Sequence, residues 1–219
     1  NDIWDRQFDK KVIRTKDRPL ANGKVSLKSA WILMFLMLFL SLFIVLSIPK
    51  ESRDLCLILA SSSLPLILLY PSAKRWFKYP QLILSICWGF SVLIPWAASE
   101  SSLAGGPTLI FCWLATIFWT FGFDTVYAMA DENEDKEIGL NSSAISLGRK
   151  SIKTVSFCYA LTSFFIAIAA YRANLGLVYW PFWLMTTLGM QREVFLLTSR
   201  SKGIKTSVLH FSNQVKIGS

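Results

Sequence analysis

The chain has 219 residues, 53% of them hydrophobic and 17% charged, with a mean hydropathy of +0.44 and a formal net charge of +9. That balance excludes an ordinary soluble domain and points to a polytopic membrane protein. It also removes nucleic acid as the reason for the basic charge, because the lysines and arginines sit in the breaks between apolar runs, where membrane topology puts them.

Residues 1–28 are polar, NDIWDRQFDKKVIRTKDRPLANGKVSLK. On a helix advancing about 100° per residue, Asn1, Asp2, Asp5 and Asp9 fall within an arc of about 100°. Four polar groups then share one face. Arg18-Pro19-Leu20 and Asn22-Gly23 end that helix by proline and turn chemistry.

Six apolar runs follow, over 30–48, 55–71, 81–99, 107–123, 154–171 and 175–190. The run over 30–48 is long enough to cross about 30 Å of hydrocarbon, and the others are of similar length. Pro65, Pro95 and Pro181 lie inside runs, and internal prolines are tolerated where neighbouring helices or a cavity satisfy the freed backbone groups. The expected fold is therefore all-α, a transmembrane helix bundle around a central cavity. No repeat or linker divides the chain, so residues 1–219 read as one domain. Cys56, Cys87, Cys112 and Cys158 lie in apolar stretches without C-x-x-C spacing and read as small buried side chains. His210 is the only histidine, which disfavours a histidine metal site or a Ser-His-Asp triad.

Alternation of the runs puts 1–28, 74–78, 129–153 and 192–205 at one face, and these segments carry most of the 23 lysines and arginines. Lys50, Arg53 and Arg172 are left to the other. By the positive-inside rule the charge-rich face is cytoplasmic, and a bacterial inner membrane is the expected setting.

The stretch that needs explaining is 124–148, DTVYAMADENEDKEIGLNSSAISLG. It places Asp124, Asp131, Glu132, Glu134, Asp135 and Glu137 directly after an apolar run. Carboxylates at the mouth of a low-dielectric region repel one another unless cations compensate them. If the preceding helix continues, Asp124, Tyr127, Asp131 and Asp135 fall within about 80° of arc, Glu132 and Glu134 lie about 80° to either side of Asp124, and Glu137 points away. Two carboxylate stripes bordered by Arg and Lys suit Mg2+, which binds through one or two carboxylates plus substrate phosphates. On spacing alone, a cation transporter or channel is the competing class. The one-sided placement of the acids, and the neighbouring basic residues, count against it.

These motifs carry a resemblance. Asn1-Asp2-x-x-Asp5-x-x-x-Asp9, then Arg14-Thr15-x-x-Arg18-Pro19-Leu20-x-x-Gly23, then Tyr127-x-x-x-Asp131-x-x-x-Asp135 resemble the two aspartate-rich motifs of the UbiA superfamily of intramembrane prenyltransferases. The wording of 124–148 is most similar to the members that prenylate 4-hydroxybenzoate. The resemblance implies nine transmembrane helices around a central cavity, of which residues 1–219 would hold the end of helix 2, helices 3 to 8 and the start of helix 9. Because the chain opens on Asn1 within a charged motif and ends as a new apolar segment begins, truncation at both ends is expected.

The resemblance further implies that Asn1, Asp5, Asp9, Asp131 and Asp135 hold Mg2+ against the diphosphate of a polyprenyl donor. Arg14, Arg18, Lys74 and Arg75 are the candidates for binding diphosphate or the acceptor carboxylate, each with the alternative of a topology-setting charge. Asp2 and Asp124 are candidates to tune the site or deprotonate the phenol, or are helix-end residues; Tyr127 either orients a carboxylate or sits at the interface. The implied substrates are polyprenyl diphosphate and 4-hydroxybenzoate in the lipid bilayer, with no nucleic acid and no obligate protein partner evident. Homogentisate, a chlorophyllide or haem remain open as acceptors, since the aspartate motifs read only the donor.

Overall fold

The computed structural model describes residues 2–13, 15–199, 207 and 209–214, with Ser199 described in its backbone only. Every element among them is helical. The order is α1 (Asp2–Asp9), α2 (Leu27–Leu46), α3 (Lys50–Ala73), α4 (Pro80–Glu100), α5 (Gly106–Met129), α6 (Glu132–Glu137), α7 (Ser143–Leu147), α8 (Ser151–Arg172) and α9 (Tyr179–Ser199), with a 3-10 turn Gly148–Lys150 leading into α8. Residues 209–214 are also helical.

Local signals account for the ends. Ser26 caps α2, its Oγ accepting from the Ser29 N–H at 3.0 Å. Pro80 opens α4 at a position whose N–H has no helical partner, and Pro107 does the same in the first turn of α5. Pro65, Pro71 and Pro95 stay inside helices, as expected of a protein in which neighbours satisfy the backbone. Pro181 does not. It falls in the first turn of α9, because the helix starts at Tyr179 rather than at Leu175.

Among the described residues five segments are long and apolar enough to cross a membrane: Leu27–Leu46, Lys50–Ala73, Pro80–Glu100, Gly106–Met129 and Ser143–Arg172. This is an integral, multi-pass membrane protein. The sixth expected run differs from the expectation because α9 extends beyond Met190 through Gln191, Arg192 and Glu193, which lowers its mean hydropathy.

Neighbouring helices pack in chain order, α2 on α3, α3 on α4, α4 on α5, α5 on α8 and α8 on α9, with α5 and α8 sharing the most extensive interface. α2 is apolar right round and buries none of its residues, the composition of a helix facing lipid. The main core joins α5, α8 and α9 through Phe123, Val126, Val155, Tyr159, Met190, Val194 and Leu197. Polar bonds cross between these helices too: Ser156 Oγ donates to Gln191 Oε1 at 2.9 Å, and Trp183 Nε1 donates to the Ser163 carbonyl at 3.0 Å. Such bonds contribute about 0.6 kcal/mol each in a membrane. All four cysteines are free thiols.

Alternating directions gather the helix ends into two layers. At one end Ser52 and Ser101 share a hydrogen bond of 2.7 Å. At the other the Asn141 N–H donates to the Lys74 carbonyl at 2.7 Å and the Ser146 hydroxyl to the Lys78 carbonyl at 2.6 Å. That second end carries both acidic motifs.

Candidate active site

α1 is short and its sequence is amphipathic: Asp5 and Asp9, one turn apart, are its two buried residues. Opposite them, the last turns of α5 bring down Asp124 and Tyr127. The chain then breaks. α5 stops at Met129, and Asp131, with φ −107° and ψ 7°, stands at the N-terminus of the separate short helix that presents Asp135. The single continuous stripe expected over 124–135 is thus two helices with a bend between them. Its members still converge, because residues after α6 are tethered to the α3–α4 connection. Gly139, with φ 72°, turns the chain out of α6 in a backbone region that favours glycine. The Ser143 N–H then donates to Gln81 Oε1 at 2.7 Å, Ser143 and Thr125 share a 2.8 Å hydroxyl bond, and Ser142 caps α7.

The result is a cavity that opens to solvent, with about 650 Å³ of empty space when the solvent at its mouth is included. Its wall includes Asp5, Asp9, Asp124, Asp131 and Asp135, with Tyr127, Lys74 and Arg18 among them. All five aspartates are less than a tenth exposed. Glu132 instead pairs with Lys136 across one helical turn at 2.7 Å, and neither it, Glu134 nor Glu137 lines the cavity.

Basic side chains meet the acids of α1. Arg18 Nη1 donates to Asp9 at 3.1 and 3.2 Å and to the half-exposed Asp2 at 3.2 Å. Arg75 reaches Asp5 Oδ1 at 3.3 Å from beside the cavity while its guanidinium lies 4.7 Å from the centre of the Phe8 ring. Burial pushes the Asp5 carboxyl above its ordinary range, Asp9 adds to this, and Lys74 and Arg75 offset it only in part. For Arg18, burial acts to lower the pKa, but Asp9 and Asp2 together overcome it and hold the guanidinium above its usual value.

Among the described residues no three acidic, cysteine or histidine side chains form a ready-made metal cage. The donor set is all carboxylate oxygen, arranged around a cavity rather than clenched together. That fits Mg2+ shared between one or two carboxylates and the oxygens of a bound phosphate, and does not fit a dedicated protein site.

Of the residues singled out in sequence, Asp5, Asp9, Arg18, Lys74, Asp124, Tyr127, Asp131 and Asp135 line the cavity and Arg75 contacts Asp5. Asn1 and Arg14 lie outside the described residues. The structure adds Tyr70, Gln81 and Thr15 to the wall. Tyr70 is one helical turn before Lys74, so the i, i+4 rule had the signal to find it. Gln81 is the polar side chain just after the Pro80 that opens α4. Thr15 donates through Oγ1 to the Asp9 carbonyl at 3.1 Å, which fixes the turn that carries Arg18.

Comparison with known proteins gives the same architecture. The profile of the UbiA prenyltransferase family matches residues 1–214. The chain is 37% identical over 218 residues to the 4-hydroxybenzoate solanesyltransferase of a Synechocystis species, covering 100% of this chain and 73% of that one. It is 35% identical over 187 residues to the 4-hydroxybenzoate octaprenyltransferase of Burkholderia lata, covering 84% of this chain and 62% of that one, less than two thirds of the relative's length. Among solved structures, the apo UbiA homologue of Aeropyrum pernix superposes with a TM-score of 0.81 at 24% identity, over 99% of this chain and 80% of that one. A UbiA homologue of Archaeoglobus fulgidus bound to GPP and Mg2+ gives 0.68 at 20% identity, with the same coverage of both chains. The chain belongs to the UbiA prenyltransferase family.

Proposed function

We infer that the protein transfers a polyprenyl group from polyprenyl diphosphate to the ring carbon ortho to the hydroxyl of 4-hydroxybenzoate, releasing diphosphate, in the biosynthesis of a ubiquinone- or plastoquinone-type quinone. The observation that carries this reading is the convergence of five buried aspartates, from two motifs more than a hundred residues apart, on one cavity that also holds Lys74 and Arg18. The names of the relatives from Synechocystis and Burkholderia supply the acceptor.

In this reading Asp5, Asp9, Asp131 and Asp135, with Asn1, hold Mg2+; once bound, it would neutralise the diphosphate and the charge that grows on it as a leaving group. Lys74 and Arg18 take the phosphate oxygens the aspartates cannot, with Arg14 as a third candidate and Arg75 steadying Asp5. Loss of diphosphate breaks the allylic C–O bond and leaves an allylic cation. The electron-rich ring attacks it, a C–C bond forms, and the ring carbon gives up its proton. Asp124, with Asp2 as the other candidate, would take the phenol proton and so make the ring more nucleophilic, and Tyr127 would orient the carboxylates beside it. Residues 1–219 would act as one prenyltransferase domain, with the cavity facing the cytoplasm of a bacterial inner membrane.

The test is product analysis. Membranes containing the protein are incubated with a polyprenyl diphosphate and, separately, 4-hydroxybenzoate, homogentisate or a chlorophyllide, with Mg2+ or with a chelator. The expected result is prenylated 4-hydroxybenzoate and free diphosphate in the Mg2+ sample alone. Prenylation of a different acceptor, or turnover that survives chelation, would overturn the corresponding half of the reading.

A further inference from the structure

Behind the cavity wall lies a second group of buried polar side chains, which the transfer step does not use. Tyr159 on α8, Glu193 on α9 and His210 in the 209–214 turn are each less than a tenth exposed. The Tyr159 hydroxyl and His210 Nε2 are 2.9 Å apart, with the two rings parallel to within 5°. His210 Nδ1 lies 3.9 Å from Glu193 Oε2, to which Asn213 Nδ2 donates at 3.1 Å. A carboxylate beside Nδ1 favours the proton there, so Nε2 accepts and the Tyr159 hydroxyl donates. Tyr159 reaches this position by crossing α5 at Gly122, where a Cβ would stand 2.7 Å from its ring.

The next residue packs on Tyr127, which lines the cavity. The Phe211 ring centre is 4.9 Å from that of Tyr127 and 5.4 Å from that of Phe123. Tyr127 lies in the last turn of α5, one helical turn after Phe123, and Phe211 packs on both rings. Apolar contact alone tolerates sliding, whereas a buried hydrogen bond has one register, since a shift leaves its groups unsatisfied in a low-dielectric setting.

We propose that Tyr159, His210 and Glu193 are positioning residues that seat the 209–214 turn against α5, so that Phe211 holds the Tyr127 ring in the wall of the cavity. The proposal rests on the reading of that cavity as the diphosphate site.

The test uses the membrane-embedded protein and its kinetics with a polyprenyl diphosphate at saturating 4-hydroxybenzoate. Tyr159→Phe, which removes one oxygen, and His210→Ala should each raise KM for the diphosphate by about tenfold with kcat within about twofold, the pattern of lost uniform binding. His210→Gln, whose amide oxygen can accept in place of Nε2, should recover most of the affinity. Tyr127→Ala should raise the same KM, and adding Tyr159→Phe to it should change nothing further, because both changes act through one ring. Additive effects, or a lower melting temperature with KM unchanged, would overturn the proposal. Amide exchange separates it from the functional reading. If wild-type membranes transfer no prenyl group, the functional reading fails, while faster exchange at 209–214 in Tyr159→Phe, by about tenfold, still supports the clamp; unchanged protection there would overturn it.

Discussion

The two acidic arms of the cavity are built differently. Asp5 and Asp9 share one short helix, and arginines meet both: Arg75 at 3.3 Å and Arg18 at 3.1 Å. Asp124, Asp131 and Asp135 are spread over two helices with a bend between them, and the segment is fixed from behind through Ser143, Gln81 and Asn141. The first, ionic arm carries arginine pairs on its carboxylates. The second, tethered arm has, besides the polar contacts of its own carboxylates, hydrogen bonds behind it to Gln81 and Lys74. A site that must exchange a highly charged leaving group gains from such tethers, because they keep its carboxylates in place.

The largest expected effect tests whether both arms are needed. Asp5→Ala and Asp131→Ala should each lower kcat/KM by about 100-fold or more, a loss of about 2.7 kcal/mol in transition-state stabilisation. If only one did so, the two-armed site would be wrong. Glu137→Ala, on the exposed face of α6, is the internal standard and should stay within about twofold.

Next comes the ionic arm. Arg18→Lys keeps the charge but loses the planar guanidinium whose Nη1 reaches both Asp9 and Asp2 and whose other donors can face a phosphate, so KM for the polyprenyl diphosphate should rise by about tenfold with kcat less affected. An equal fall in kcat would instead place Arg18 in the transition state alone.

For the tethered arm the readout is stability. Gln81→Ala leaves the buried Ser143 N–H without its acceptor and should cost about 1–3 kcal/mol, seen as a lower melting temperature in detergent. Gln81→Glu, which retains an acceptor, should lose less. Equal losses would mean that Gln81 acts by packing.

The smallest effect is a pH dependence. Burial raises the Asp5 pKa above the 3.8 of a free aspartate, so between those two values the native state binds more protons than the unfolded one. Its contribution is full below pH 3.8 and is lost as pH rises through the native value. In the absence of Mg2+, the melting temperature of Asp5→Asn should therefore exceed that of wild type at pH 7, and the gap should narrow on acidification. A gap that widened would reverse the assigned sign.

Much of this was legible in the sequence because the membrane imposes strong patterning. Apolar length places five of the six expected spans among the described residues, and the i, i+4 spacing puts Asp5 and Asp9 on one buried face of α1, whereas Asp2, expected on the same face, is exposed and does not line the cavity. The break after Met129 was not legible, since Ala130-Asp131-Glu132 contains neither proline nor glycine, and what interrupts the helix is tethering from residues up to a dozen positions further on. Gln81 escaped notice for a related reason: its partner is a backbone N–H 62 positions away, and no local spacing encodes that. The start of α9 is not legible from apolar length either: the run over 175–190 puts Pro181 inside a span, whereas the helix begins at Tyr179 and Pro181 sits in its first turn.

The bend at Asp131 has a consequence for how the protein tolerates insertions and deletions. A residue gained or lost within a continuous helix rotates everything beyond it by about 100°, so an unbroken helix from Gly106 would carry Asp131 and Asp135 away from α1 with any such event. With the helix interrupted at Met129, an event in the apolar part of α5 turns Asp124 and Tyr127 but is absorbed before Asp135, whose orientation is taken from the α3–α4 connection. Asp135 is thereby less sensitive to the length of α5 than Asp124 and Tyr127 are.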